Sequence, residues 1–269
     1  MATGKGESVF SVRPTWRRLT TLLSARLAGA EFPLLAPLRP VWVIGDVHGC
    51  ADLLERLMVQ IFARSPRNKI DVVLTGDYID RGPDSCGTLS FLHDLIRTEP
   101  NVVCLRGNHE EMLFSFLDDP VGNGRRWLRH GGRETLRSYG LQADGLLDMG
   151  RGLQDVADRL RGAMGPDVLS WLKSLPLQWS SGNVTVVHAA LDPACALDMQ
   201  SANTMLWGHP KFFNVPRSDG MWVVHGHTIV AKAGIAGRGR IAVDTGAYES
   251  GHLSGVLISP DGNIMPFLT

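Results

Sequence analysis

Cysteine is scarce in this sequence, and no two cysteines lie close together. The 269 residues include four of them, namely Cys50, Cys86, Cys104 and Cys195. Zinc ribbons and dithiol redox sites need a Cys-x-x-Cys pair, so the sequence predicts neither kind of site. We expect four reduced thiols, as is usual in a cytoplasmic protein.

An excess of charge of one sign is also absent. The sequence has 27 basic and 27 acidic residues, and its formal net charge is zero. A chain with that balance has no overall field that attracts nucleic acid or an anionic membrane, so we expect neither as a partner. Affinity for phosphate must therefore come from a local group of residues.

Long apolar runs are missing as well. No stretch approaches the roughly 20 apolar residues that span a bilayer, and the N-terminus lacks the apolar core of a secretory signal. Residues 1–40 are rich in arginine, and a short helix is predicted around Thr15 to Ala28. We interpret residues 1–40 as an N-terminal extension, a solvated lead-in to the domain rather than an organelle-targeting helix.

The sequence does contain a regular alternation of apolar, β-branched runs and amphipathic stretches. The runs predict strands and the stretches predict helices. In chain order they lie at 41–44, 51–62, 71–74, 85–97, 102–105 and from Glu110 onward. Three strand-helix units in series indicate an α/β fold.

A different pattern follows these units. Helical periodicity dominates about residues 118–180, which we interpret as a helical insertion. Strands are then predicted again at Val184 to Val187, Met221 to Val224, Ile241 to Val243 and Gly255 to Ser259. Because no linker-like composition interrupts residues 41–269, one domain of layered sheets and helices is predicted for them.

Polar residues follow the carboxyl ends of the predicted strands, where loops from several strands converge in α/β sheets. The candidate metal ligands are Asp46, His48, Asp77, Asn108, His188 and His227. A mixed oxygen and nitrogen set without thiolate suits manganese, iron or zinc. Six ligands are too many for one structural zinc ion and fit two divalent ions that share a carboxylate.

Three further residues in the same clusters have side chains suited to phosphate ester hydrolysis. Two neighbouring metal ions can hold a hydroxide for in-line attack on phosphorus. His109 is the candidate proton donor to the leaving oxygen, and Asp80 can orient its imidazole. Arg81 is the candidate cation for the phosphate oxygens, because its planar fork matches their geometry.

The clusters resemble the phosphoprotein phosphatase branch of the calcineurin-like metallophosphoesterases, in its bacterial serine/threonine phosphatase form. The resemblance rests on Gly45-Asp46-Val47-His48-Gly49, Gly76-Asp77-Tyr78-Ile79-Asp80-Arg81-Gly82, Gly107-Asn108-His109-Glu110, Val187-His188-Ala189, His225-Gly226-His227-Thr228 and Asp244-Thr245-Gly246-Ala247. It implies two mixed β-sheets in a central sandwich flanked by helices, with a binuclear centre at the edge of the sandwich.

The resemblance also implies roles for single residues. The metal ligands would divide into Asp46 and His48 at one ion, Asp77 as the bridge, and Asn108, His188 and His227 at the other. His109 and Asp80 would form the proton-donating pair, and Arg81 would contact phosphate together with Asn108. Manganese is the cation expected first.

One position departs from the family pattern. Related phosphatases carry a second phosphate-binding arginine in a Leu-Trp-x-Arg segment, where this chain has Leu206-Trp207-Gly208-His209. His209 when protonated, Lys211 or Arg217 could take its place. The metal chemistry does not depend on this position, but the affinity for a phosphomonoester does.

Three functions remain open at this point. Hydrolysis of phosphoserine or phosphothreonine in a phosphoprotein or phosphopeptide is favoured. Hydrolysis of diadenosine tetraphosphate is the alternative, although the symmetrical hydrolases that resemble this chain carry alanine where it has Asp80. A catalytically inactive scaffold is the third. A basic stretch, comprising Arg125, Arg126, Arg129, Arg133 and Arg137, is interpreted as a solvated helix face rather than a surface for an acidic partner.

Overall fold

The computed structural model describes residues 32–142 and 150–269, and the helix predicted around Thr15 to Ala28 lies outside them. The strands of this part are β1 (Val41–Ile44), β2 (Asp71–Leu74), β3 (Val102–Cys104), β4 (Gln178–Ser181), β5 (Val184–Val187), β6 (Trp222–His225), β7 (Gly234–Gly237), β8 (Arg240–Ala242), β9 (Ser254–Ile258) and β10 (Ile264–Leu268). They form two five-stranded sheets.

Helices connect and cover these strands. In the described part they are α1 (Ala51–Arg64), α2 (Ser85–Thr98), α3 (Asn108–Asp118), α4 (Pro120–Trp127), α5 (Arg133–Ser138), α6 (Gly150–Met164), α7 (Pro166–Ser174), α8 (Ala202–Trp207) and α9 (Ala247–Ser250). None of the helices in the described ranges is long and apolar enough to cross a bilayer.

Both sheets are mixed, as predicted. The first has the order β10-β9-β1-β2-β3, with β1, β2 and β3 parallel and β9 and β10 antiparallel to their neighbours. The second has the order β4-β5-β6-β8-β7, with a parallel centre and antiparallel edges. Because the central strands of each sheet are parallel, their carboxyl ends open on one edge.

The alternation of side chains along β1 shows how the layers pack. Trp42 and Ile44 belong to the core beneath the helices, where Leu54 and Met58 of α1 are buried with them. Val43 faces the other way, into a core shared with strands of the second sheet. Successive side chains of a strand point to opposite faces, so β1 is buried on both. Full burial of each such side chain contributes about 1.5–3 kcal/mol.

The antiparallel edge strands β4, β7 and β10 were not predicted from the sequence. β4 consists of Gln178, Trp179 and two serines, and β7 begins and ends with glycine. β10 contains Pro266, which lacks a backbone N–H and is tolerated at a sheet edge. Edge strands are half solvated, so they lack the apolar run that identifies a central strand.

A sharp turn connects α4 to α5. The π-helical turn Leu128–Gly132 contains Gly131 at a φ of 110°, in the region that favours glycine. A Cβ atom at residue 131 would lie 2.3 Å from the backbone nitrogen of Arg81. The turn therefore lies directly against the loop that follows β2.

Residues 32–40 lead into β1 along the second sheet. The side chain of Asn183 accepts a hydrogen bond from the Ala36 amide at 2.7 Å and donates one to the Leu34 carbonyl at 2.8 Å. The Trp222 indole donates to the Pro33 carbonyl at 2.7 Å. This part of the predicted N-terminal extension is thus hydrogen-bonded to the sandwich.

Candidate functional site

The structure brings all six predicted metal ligands to one edge of the sandwich. They follow the carboxyl ends of five strands: Asp46 and His48 come after β1, Asp77 after β2, Asn108 after β3, His188 after β5 and His227 after β6. The side chain of His227 is partly exposed, and the other five residues are buried. Loops from both sheets therefore build a single site.

One group of donor atoms forms around His48, Asp77 and His109, whose candidate ligand atoms lie within 4.8 Å of one another. The Nε2 atom of His48 is 3.6 Å from Oδ2 of Asp77. Its Nδ1 atom lies 2.8 Å from the Ile79 carbonyl, to which it can donate a proton. That hydrogen bond leaves the Nε2 lone pair free for a metal ion.

A second group shares the same carboxylate. His188 Nε2 lies 3.4 Å from Oδ2 of Asp77 and 2.7 Å from the Asn108 side-chain oxygen. His227 Nδ1 is 3.0 Å from that same oxygen. The Nδ1 atom of His188 faces the Thr75 carbonyl at 3.1 Å, which again directs Nε2 toward the site. Asp77 thus stands between two groups of donors.

Asp46 lies beside the second group. Its carboxylate accepts hydrogen bonds from the Thr75 hydroxyl and from the His227 amide, both at 2.9 Å. Oδ1 of Asp46 is 4.0 Å from Nδ1 of His188. Among the described residues, the three-residue group around His48 contains His109 and not Asp46.

Burial makes charge costly for these ligands. It raises the pKa of Asp46 well above the ordinary value, and the nearby Asp244 and Asp77 raise it further. Burial also lowers the pKa of His188 well below its ordinary value, as does the charge of His227. Neutral imidazoles are the form that binds metal, and a cation would stabilise the carboxylates in their charged form. The donor set therefore fits divalent metal ions.

Backbone strain is concentrated in the same place. Of the described residues other than glycine, those with a positive φ are His48, Asp77, Asp80, Arg81 and His227. Such conformations cost on the order of 1–3 kcal/mol each and persist where surrounding contacts hold them. Glu110 supplies some of these contacts, because its carboxylate accepts the amides of Asp77, Tyr78 and Gly107.

His109 and Asp80 are in contact, as the proton-donating pair requires. His109 Nδ1 is 2.7 Å from Oδ2 of Asp80. The Trp127 indole donates to that oxygen at 3.0 Å, and the Thr135 hydroxyl donates to Oδ1 at 2.6 Å. Burial raises the pKa of Asp80 to about 8, although the hydrogen bonds from Thr135 and Trp127 oppose the rise.

Arg81 lies beside this pair. Its Nη2 atom is 3.3 Å from His109 Nε2, and its Nη1 atom donates to the Tyr248 hydroxyl at 2.8 Å. The guanidinium carbon lies 5.0 Å from the centre of the Tyr248 ring. Arg81 is partly exposed, so its remaining N–H groups can reach a ligand in the site.

His209 is not brought to the metal groups. Its Nε2 atom lies 3.7 Å from Asp192, and its Nδ1 atom accepts the Lys211 amide at 3.4 Å. Arg217 forms hydrogen bonds with Asp219, so it too has a partner outside the site. Within the described residues, no contact joins His209 to a predicted metal ligand.

Sequence reasoning missed several residues that support the site. Trp127 and Thr135 belong to the helical stretch after α3, where no motif marks them. Tyr248 comes just after Asp244-Thr245-Gly246-Ala247, and Glu110 ends the Gly107-Asn108-His109 cluster, so both lay next to a recognised motif. The sequence indicated these two residues only through their position next to a motif, and that position did not show what either residue does.

Comparison with known proteins places the chain in a family. The family described as calcineurin-like phosphoesterase matches residues 39–231. Serine/threonine-protein phosphatase 2 of Escherichia coli K12 is 38% identical over 95 residues, which are 35% of this chain and 39% of the relative. The symmetrical bis(5'-nucleosyl)-tetraphosphatase of Methylococcus capsulatus is 30% identical over 154 residues, which are 57% of this chain and 44% of the relative.

The alignments thus span less than half the length of these curated relatives. Among solved structures, a protein provisionally named a diadenosine tetraphosphatase superposes with a TM-score of 0.59 at 22% identity, covering 86% of this chain and 93% of the other. A Saccharomyces cerevisiae serine/threonine phosphatase superposes with a TM-score of 0.54 at 16% identity, covering 86% and 80%. These likenesses show the shared fold. The chain belongs to the calcineurin-like phosphoesterase family.

Proposed function

We propose that this phosphoesterase hydrolyses phosphoserine and phosphothreonine in proteins or peptides. The observation that carries the proposal is the contact between His109 and Asp80, 2.7 Å apart, beside two donor groups that share Asp77. Removal of a phosphoryl group needs positive charge at phosphorus and a proton for the departing oxygen. The two parts of this site can meet these two needs.

The six candidate ligands would hold two divalent ions, with manganese expected first and iron or zinc compatible with the same donors. When bound, such ions activate water and polarise the phosphate. Asp77 would contribute to both positions, because it lies near His48 on one side and His188 on the other. The hydrogen bonds to the Ile79 and Thr75 carbonyls would keep both imidazoles oriented toward the ions.

His109 would donate the proton from Nε2, because its Nδ1 atom is engaged by Asp80. The carboxylate stabilises the charged imidazole and fixes the orientation of the ring. Burial and the neighbouring Arg81 lower the pKa of His109, and the Asp80 carboxylate would oppose this by favouring the charged imidazole. Trp127 and Thr135 would keep Asp80 in place throughout.

Arg81 would bind the nonbridging phosphate oxygens. Its hydrogen bond to the Tyr248 hydroxyl holds the guanidinium at the site, and a guanidinium matches two oxygens at once. His209, the other predicted phosphate contact, lies against Asp192.

Dinucleoside polyphosphates are the second candidate substrate, because the relatives include proteins named for that activity as well as for protein phosphatase activity. The donor groups suit the phosphate of a phosphoprotein and that of a dinucleoside polyphosphate alike. Asp80 favours the phosphomonoester, since it makes the proton donor effective for a poor alkoxide leaving group. A cytoplasmic location stays an expectation from the sequence, in which no two cysteines lie close together.

The test compares a phosphoserine peptide with diadenosine tetraphosphate in manganese buffer, with para-nitrophenyl phosphate as a general substrate. We expect the larger kcat/KM for the peptide. A preference for the dinucleotide by orders of magnitude would overturn the choice of substrate. Absence of hydrolysis of every substrate between about pH 6 and 9, with metal bound, would instead support the inactive scaffold.

A further inference from the structure

One helical segment supports the candidate active site from behind. α4 and the turn after it carry Trp127, which donates to Asp80, and Gly131, whose carbonyl accepts the Arg81 amide at 3.4 Å. The buried side of this segment is therefore fixed to the residues proposed to act on substrate. Its outer side is exposed to solvent.

That outer side carries a group of arginines, which we call the basic rim: Arg125, Arg126 and Arg129. All three are exposed. Within residues 32–142 and 150–269, no carboxylate lies within 4.0 Å of their guanidinium groups, whereas Arg56, Arg159 and Arg161 on other helices each form an ion pair. The rim thus concentrates positive charge that no carboxylate of the described ranges pairs with, in a chain whose net charge is zero.

Arg126 connects the rim to the other side of the site. Its guanidinium carbon lies 4.6 Å from the centre of the Trp207 ring. Trp207 ends α8, and the Met205 carbonyl of α8 accepts the amide of Ala189, the residue after His188. The stacking holds the arginine at one position while its N–H groups stay available.

We propose that the basic rim binds acidic side chains that flank the phosphorylated residue of a peptide substrate. This inference rests on the proposed phosphopeptide activity and adds a preference for sequence. Arginine forks bind carboxylates in two parallel hydrogen bonds, so the rim selects for aspartate and glutamate near the phosphate. The rim would also attract such peptides at a distance when the salt concentration is low.

The geometry favours a peptide over a nucleotide. A nucleobase would need a free aromatic face for stacking, but Arg126 covers one face of Trp207, and the ring also packs against the core beneath the helices. Arg125 and Arg129 are four residues apart, which corresponds to about 6 Å along a helix. An extended peptide advances roughly 3.3 Å per residue, so neighbouring acidic residues could reach successive arginines.

The experiment uses the full chain with manganese and two phosphoserine peptides. The peptides are identical except that one has aspartate and glutamate beside the phosphoserine and the other has asparagine and glutamine. We expect the acidic peptide to have a kcat/KM about three- to tenfold higher, the effect of two exposed ion pairs, and the ratio to fall with added salt. In Arg126→Gln/Arg129→Gln the ratio should approach one.

Two further variants serve as controls. Arg97→Gln removes an exposed arginine from the last turn of α2, which runs from the carboxyl end of β2 to the amino end of β3. It therefore lies at the opposite edge of the sheet and should keep the ratio. Arg126→Lys retains the charge but loses the planar fork, so it should keep only part of the ratio. Arg129→Gln alone provides a second test if the double variant folds poorly.

Other results would overturn the inference. The inference would be wrong if the wild type had an equal kcat/KM for both peptides, or if the folded double variant kept the wild-type ratio. The arginines would then be a solvated helix face that does not bind the substrate. A loss confined to diadenosine tetraphosphate would assign the rim to polyphosphates. If neither peptide were hydrolysed while the dinucleotide was, the proposed function itself would fail, and the inference with it.

Discussion

The imidazole of His109 and the carboxylate of Asp80 are in hydrogen-bond contact at 2.7 Å, with both side chains buried. This pair lies next to Asp77, since His109 Nε2 is also 3.9 Å from Oδ2 of that residue. His109 can thus be viewed as a proton donor or as a metal ligand. The two roles make opposite predictions for the metal content of a variant.

His109→Asn should lower kcat by roughly 10² to 10⁴, the range expected for loss of a general acid, and leave the metal content unchanged. Steady-state assays with a phosphopeptide and elemental analysis of the same preparation measure both quantities. His252→Asn, at an exposed position between α9 and β9, is the matched control and should behave like the wild type. Loss of one metal ion from His109→Asn would assign this residue to the metal centre instead.

Thr135→Val should impair catalysis although the residue touches neither donor group. The Thr135 hydroxyl donates to Asp80 Oδ1 at 2.6 Å and accepts the Asp80 amide at 2.9 Å. Valine has nearly the same shape but removes both hydrogen bonds, each worth about 0.5–1.5 kcal/mol, so Oδ1 keeps only the Trp127 indole at 3.2 Å and the Asp80 amide keeps only the Ser85 hydroxyl at 3.0 Å. We expect kcat to fall by about tenfold, because the Asp80 carboxylate is held less firmly against His109.

The control for this variant is Thr135→Ser, which retains the hydroxyl. It should keep most of the activity, and urea unfolding should show a smaller loss of stability than for valine. If valine and serine lowered kcat equally, the methyl group rather than the hydrogen bond would be the important feature. The support of Asp80 by this helix would then be a matter of packing.

The residues around Asp80 also show what sequence reasoning could find. β1, β2 and β5 were predicted with their observed bounds because central strands are short apolar runs. Each cluster of candidate ligands is contiguous in sequence and comes at the end of such a run. Its position at the edge of the sheet could therefore be predicted. The contacts of Trp127 and Thr135 with Asp80 could not be predicted in this way. The two residues are 47 and 55 positions from Asp80 in the sequence, and no local sequence pattern marks them as its partners.

Asp77→Asn should reduce binding of both metal ions. Oδ2 of Asp77 lies 3.6 Å from His48 and 3.4 Å from His188, so one carboxylate serves both donor groups. Replacing it with a neutral amide removes charge from both positions at once. Elemental analysis after dialysis should give well under one metal ion per chain.

Asp94→Asn, an exposed position on α2, is the matched control and should retain the wild-type stoichiometry. Two ions per chain in Asp77→Asn would contradict the bridging role. One ion per chain would mean that Asp77 serves a single position and that the other ion relies on the remaining ligands.

Gly131→Ala tests whether the turn after α4 positions Arg81. Residue 131 has a φ of 110°, and an added Cβ would lie 2.3 Å from the Arg81 amide nitrogen. The strain should cost about 1–3 kcal/mol of unfolding free energy and displace Arg81, so KM for a phosphopeptide should rise. Gly140→Ala is the matched control, because residue 140 has a φ of 71° but its Cβ would meet nothing within 4 Å. That variant should lose stability through backbone strain alone and keep its KM, whereas an equal rise of KM in both would show that the turn does not position Arg81.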